Sequence, residues 1–83
     1  MDGTLIRSLS EVDEGSRVTV VSMHGGRAFQ SRLMAMGLKI GSRVTVLRNS
    51  RGRRGPTLVA VGESRLGIGH GMAGRIMVTV DTP

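Results

Sequence analysis

Gly15-Ser16-Arg17-Val18-Thr19-Val20 recurs unchanged as Gly41-Ser42-Arg43-Val44-Thr45-Val46. Each copy opens on turn formers and runs into β-branched residues, which suit a pleated, half-buried surface better than a helix. The first copy runs on through Val21-Ser22-Met23 and the second through Leu47-Arg48, so strands are expected over 17–23 and 43–48. Two copies without a third do not make a solenoid, because a repeat stack needs about three units to bury a continuous core. Twin strands after glycine turns are the reading that fits.

Between the twins, Phe29, Leu33 and Met36 are spaced i, i+4, i+7, which lays one apolar stripe along a short helix over 28–36. Gly37 should end that helix and let Leu38 fold back on its last turn. A helix of about nine residues is marginal in isolation and must lean on the sheet. Beyond the second twin, 48–56 is polar, with two glycines and a proline, and reads as a long hairpin loop. Strands resume over 57–61 and 65–68, and 75–80 alternates Ile76, Val78 and Val80 inward. The expected fold is mainly β: a small, partly open barrel of about five strands, with one short helix between the first two long strands. Val18, Val20, Leu33, Val44, Val46, Val59, Val61, Ile76 and Val78 should form the core.

Eighty-three residues imply one domain over 1–83, since so short a chain buries only roughly 60–65% of its unfolded surface and cannot feed two cores. With no cysteine, neither a disulfide framework nor a thiolate metal site is available, and a reducing cytoplasm suits the chain. No apolar run nears the roughly 20 residues that span a bilayer, and the first ten residues lack the apolar centre of a signal peptide. Neither membrane insertion nor export is expected. Net charge is +6, and eleven of the twelve basic residues are arginine, the side chain whose fork matches carboxylate and phosphate. That charge is compatible with an anionic partner. The single aromatic, Phe29, disfavours both base-stacking grooves and grooves that read proline-rich peptides.

Arg48, Arg51, Arg53 and Arg54 form the densest charge in the chain and are candidates for contact with phosphates or an acidic surface, against the plainer role of a solvated hairpin tip. His24 and His70, with Glu11, Asp13 or Glu14, are weak candidates for a divalent metal. No fixed ligand spacing supports them, so no metal site and no cofactor are expected. Gly67-Ile68-Gly69-His70-Gly71 lacks the strand and helix context of a phosphate loop, and its glycines are read as bends in a tight barrel. Met34 falls off the apolar stripe and should be exposed near Arg27 and Arg32, as soft adaptable surface. No nucleophile has an evident base and acid set, and no carboxylates are placed to share a proton, so an enzyme is not expected.

Arg32-Leu33-Met34-Ala35-Met36-Gly37-Leu38-Lys39-Ile40-Gly41, followed by Val44, resembles the signature of the FeoA family. Further matches are Leu9, Gly15 and Val18, then Gly25-Gly26, then Arg65-Leu66 through Gly69, Met72-Ala73, Ile76 and Val78, covering about residues 9–80 in order. Ile40 stands where family members often carry proline, and the arginine-rich loop is no part of the shared pattern. The resemblance implies an SH3-like barrel and a cytosolic, non-enzymatic accessory of ferrous iron uptake. Its implied partner is FeoB, a membrane permease for ferrous iron with a cytoplasmic G-protein domain. The family does not fix the partner surface by sequence; Arg27, Arg32, Met34 and Leu38 are the expected contact on this chain, from their place at the matching segment. A second copy of the chain is a further candidate partner. Metal-dependent repressors end in a similar barrel, but no helix-turn-helix region precedes this one. The rival is a basic barrel that grips nucleic acid through the arginine-rich loop, and the scarcity of aromatics counts against it.

Overall fold

The computed structural model describes residues 5–49 and 55–81. Along the chain come β1 (Ile6–Ser8), a 3-10 turn (Leu9–Glu11), β2 (Arg17–Met23), α1 (Arg27–Ala35), β3 (Arg43–Arg48), β4 (Thr57–Val61), β5 (Ser64–Ile68), α2 (His70–Ala73) and β6 (Ile76–Val80). The strands make one antiparallel sheet in the order β1-β6-β2-β3-β4-β5. It wraps a single core and ends at the edges β1 and β5.

Alternation explains the core. In β2, β3 and β6, Val18, Val20, Val44, Val46, Ile76 and Val78 are buried on one face while arginine, threonine and Met77 take the other, as a period of two requires. Val80, expected inward, is exposed because β6 ends there, beyond the core. Val18, Val20, Leu33, Val44, Val46, Val59, Ile76 and Val78 are all buried, as expected. Val61 is only half-buried and packs at the margin. Leu9, Val12, Leu38, Ile68 and Ala73 complete the interior.

Two elements escape the sequence pattern. Strand β1 is three residues long and largely exposed, so no apolar alternation marks it; it exists through its pairing with β6. Helix α2 is a single turn rich in glycine, held by burial of Ala73 and by Ser8 Oγ donating to the Ala73 carbonyl.

The twin hexapeptides lie against each other. Val18 faces Val44, Arg17 faces Thr45 and Thr19 faces Arg43, which places a local two-fold axis at the valine pair. The backbone hydrogen bonds obey it. Gly15 N–H donates to the Val46 carbonyl and Gly41 N–H to that of Val20, while Val20 N–H donates to Ser42 and Val46 N–H to Ser16. Each copy then runs into a β-bulge, at Val21 against β6 and at Leu47 against β4. A bulge bends its strand and sharpens the right-handed twist, so both halves curl around the core just beyond the repeat.

Asn49 ties the second half down. Its amide donates to the carbonyls of Leu9 and Val12, at 3.0 and 2.7 Å, and its Oδ1 accepts from Thr57 Oγ1. Thr57 is fully buried, and a buried hydroxyl without a partner would cost stability.

Candidate functional site

Helix α1 and the turn after it form the most exposed apolar feature of the helical layer. Its first turn has no side-chain cap, but Gln30 reaches back to the Gly25 carbonyl. Leu33 is buried, and Phe29 and Met36 pack against the core, so the stripe read from the sequence is the face that meets the sheet. The Phe29 ring lies so close to Gly25 that a Cβ there would come within 2.5 Å of it. Arg75 covers the ring from 5.7 Å, within reach of a cation–π attraction. At 100° per residue, Arg27 and Met34 share a stripe turned away from the core, and Arg32 sits about 140° round from Arg27 on the helix flank. All three are exposed, Met34 to 62%.

Leu38 corrects the sequence expectation. The helix ends in a Schellman motif, with Leu38 N–H donating to the Leu33 carbonyl, Gly37 N–H donating to that of Met34, and Gly37 at φ +97°. That geometry brings the residue after the glycine back against the last turn, and Leu38 is wholly buried beside Leu33. It holds the helix to the barrel and has no surface to offer a partner. Ile40, two residues on, is 62% exposed, at the tip of a turn closed by Ser42 N–H on the Lys39 carbonyl. Sequence reasoning noted Ile40 only as a departure from a family proline. Its signal was its place just before a turn glycine, where a side chain points outward.

The other candidates are scattered. Arg48 is exposed at the end of β3, and Arg51, Arg53 and Arg54 lie outside the described residues. His24 follows β2, with its N–H on the Arg75 carbonyl, and His70 opens α2; both are exposed. Among the described residues, no three of His, Cys, Asp or Glu gather closely enough to hold a metal ion, so Glu11, Asp13 and Glu14 do not complete a ligand set with the histidines. No helix among those residues is long and apolar enough to cross a membrane.

Known proteins share this arrangement. The chain is 37% identical over 70 residues to a Methanocaldococcus jannaschii protein that bears the name Fe(2+) transport protein A, a match covering 84% of this chain and 82% of that one. A crystal structure of an iron uptake regulatory protein, FeoA, superposes with a TM-score of 0.85 at 36% identity, over 93% of this chain and all of the other. The solution structure of FeoA from Chlorobium tepidum gives 0.79 at 31%, over 90% and 70%. A manganese-dependent transcriptional repressor reaches 0.83 at 21% identity, over 98% of this chain and 45% of its own, and that likeness is one of fold alone. The barrel is therefore SH3-like, with the helix set between its first two long strands. Since the family model of the FeoA domain spans residues 7–80, from β1 to the last residue of β6, the chain belongs to the FeoA family.

Proposed function

We propose that this protein is a cytosolic, non-enzymatic accessory of ferrous iron uptake that binds the cytoplasmic part of the permease FeoB. Family membership supports the iron-uptake setting. The observation that carries the docking role is Met34, a large flexible apolar side chain 62% exposed on the helix face opposite the core, with Arg27 on the same stripe. Soft thioether surface adapts to a partner, and arginine at its rim steers encounter and fixes orientation. Ile40, equally exposed, extends the apolar contact past the helix end, in the place first given to Leu38. Arg32 adds charge on the flank.

Affinity for purified FeoB cytoplasmic domain tests the proposal, with and without guanine nucleotide. Met34→Asp combined with Arg27→Glu should weaken binding about tenfold or more, as removal of an apolar anchor and its rim charge does elsewhere. Thermal unfolding should be unaltered, because neither side chain is buried. Undiminished affinity in the double variant would discard this face, and no association at low salt by the unaltered protein would discard the FeoB partnership.

A further inference from the structure

The twin strands present a second surface, on the side of the sheet away from the core. Because Val18, Val20, Val44 and Val46 point inward, Arg17, Thr19, Arg43 and Thr45 share the outer face. Register sets each arginine opposite a threonine, which leaves the two arginines diagonal to one another, about 7–8 Å apart. Thr45 also faces Ala60 on β4, and Ala60 faces Arg65 on β5. One row across four strands thus reads Arg17, Thr45, Ala60, Arg65, with Arg43 beside its first member.

The small methyl of Ala60 leaves a trough between the cations. An open groove of ≈ 930 Å³ runs there, with Arg17, Arg43, Thr45, Ala60 and Asp81 among its walls. Asp81 is the groove's own carboxylate, and it already accepts a hydrogen bond from Thr19 Oγ1 at 3.1 Å. Among the described residues no carboxylate forms an ion pair with Arg17, Arg43 or Arg65. Arg17 and Arg43 therefore line the groove and exposed Arg65 stands at the far end of the row, none of the three ion-paired by a described carboxylate.

We propose that this groove binds an acidic, extended segment of a partner protein, laid across the strands over Ala60. Three strand spacings of about 4.8 Å put Arg17 and Arg65 roughly 14 Å apart, the length of about four residues of extended chain. A segment with carboxylates about four positions apart would therefore reach Arg65 at one end and the Arg17 and Arg43 pair at the other. Carboxylate suits the planar fork of arginine. A lone oxyanion would engage one end and leave most of the trough empty. A nucleic acid strand would find no aromatic platform, because the chain's single aromatic, Phe29, packs against the core from α1. The groove is distinct from the Met34 face, and the inference does not rest on that docking.

Fluorescence anisotropy of a labelled short polyglutamate peptide with the full chain, at low salt, tests the proposal. Arg17→Glu with Arg43→Glu should weaken binding about tenfold or more, since two exposed pairs are lost and repulsion replaces them. Ala60→Leu, which fills the trough without changing charge, should also weaken it. Arg27→Glu with Arg32→Glu makes the same charge change on α1 and should leave affinity nearly unaltered. Circular dichroism melts verify that every variant folds. Equal loss from the helix pair would reduce the effect to general charge and overturn the proposal, as would full binding by Ala60→Leu. Tighter binding of a DNA oligonucleotide or of anionic lipid vesicles, lost in the same groove variants, would overturn the acidic-segment reading in favour of phosphate.

Discussion

The two halves of the sheet, β1-β6-β2 and β3-β4-β5, start from the same six residues and are finished by different means. Each begins with a turn that ends in Gly-Ser, runs through Arg-Val-Thr-Val facing its twin, and bulges at the next residue. The copies are offset by 26 positions, from 15 to 41, so the residue equivalent to Asn49 is Met23. Met23 packs apolar surface against the core before the chain enters α1. Asn49 instead spends its amide on the carbonyls of Leu9 and Val12 and on the Thr57 hydroxyl. Identical local sequence yields identical turns, strands and bulges, while the way each half is anchored depends on residues outside the repeat.

The largest effect should come from breaking the polar anchor. Asn49→Ala deprives the Val12 carbonyl and the buried Thr57 hydroxyl of their partner, leaving the Leu9 carbonyl only its 3.4 Å bond from Val12 N–H, and should cost about 3 kcal/mol, given about 1–3 kcal/mol for each buried group left unsatisfied. Met23→Ala, its counterpart, removes a half-buried side chain and should cost about 1–2 kcal/mol, below the range of fully buried methionine. Urea unfolding of the two variants side by side measures the difference. Equal losses would mean that the second half is held by apolar contacts as the first is.

Next come the glycines that open the repeats. Gly15 and Gly41 have φ of +88° and +96°, and each has open space where a Cβ would stand. With no clash at either site, alanine meets only the backbone penalty, about 1–2 kcal/mol. Gly15→Ala and Gly41→Ala should therefore destabilise equally. A gap above about 0.5 kcal/mol, the scatter expected of independent sites, would show that the two-fold relation ends at the strands.

Much of this was legible in the chain before any coordinates. Binary alternation located five strands and seven buried residues, since β-branched side chains at a period of two have one way to hide, and the helical stripe located an eighth, Leu33. The short edge strand β1 and the single turn α2 were not legible, because neither carries a period and both depend on distant partners, β6 and Ser8. Leu38 shows a sharper failure. Its folding back after Gly37 was readable from the capping pattern, and that same motion removes it from the surface to which it was assigned. Asn49 looked like one more loop residue beside the arginines, since nothing local reveals that its amide will meet carbonyls 37 and 40 positions away. The groove over Ala60 was equally hidden: Arg17, Arg43 and Arg65 come together only once strand order and register are known.

The smallest effect contrasts the twin turns themselves. Asp13-Glu14-Gly15-Ser16 and Lys39-Ile40-Gly41-Ser42 are each closed by the serine N–H on the first residue's carbonyl. In both, glycine with positive φ holds the third place and no other residue has positive φ, which is the geometry of a type II turn. The second place of such a turn accepts proline, whose fixed φ restricts the unfolded chain and stabilises by about 0.4–1 kcal/mol where no hydrogen bond is lost. Ile40 occupies that place, and its N–H closes neither turn, so Ile40→Pro should raise the melting temperature by about 2–6 °C. Glu14 holds the same place in the first turn, but its carboxylate accepts from Asn49 N–H at 3.0 Å. Glu14→Pro gives up that contact, worth about 0.5–1.5 kcal/mol, and should leave the melting temperature unchanged or lower it. Equal gains in both turns would show that the Glu14 contact contributes nothing, leaving the side-chain amide of Asn49 as the sole anchor of the second half.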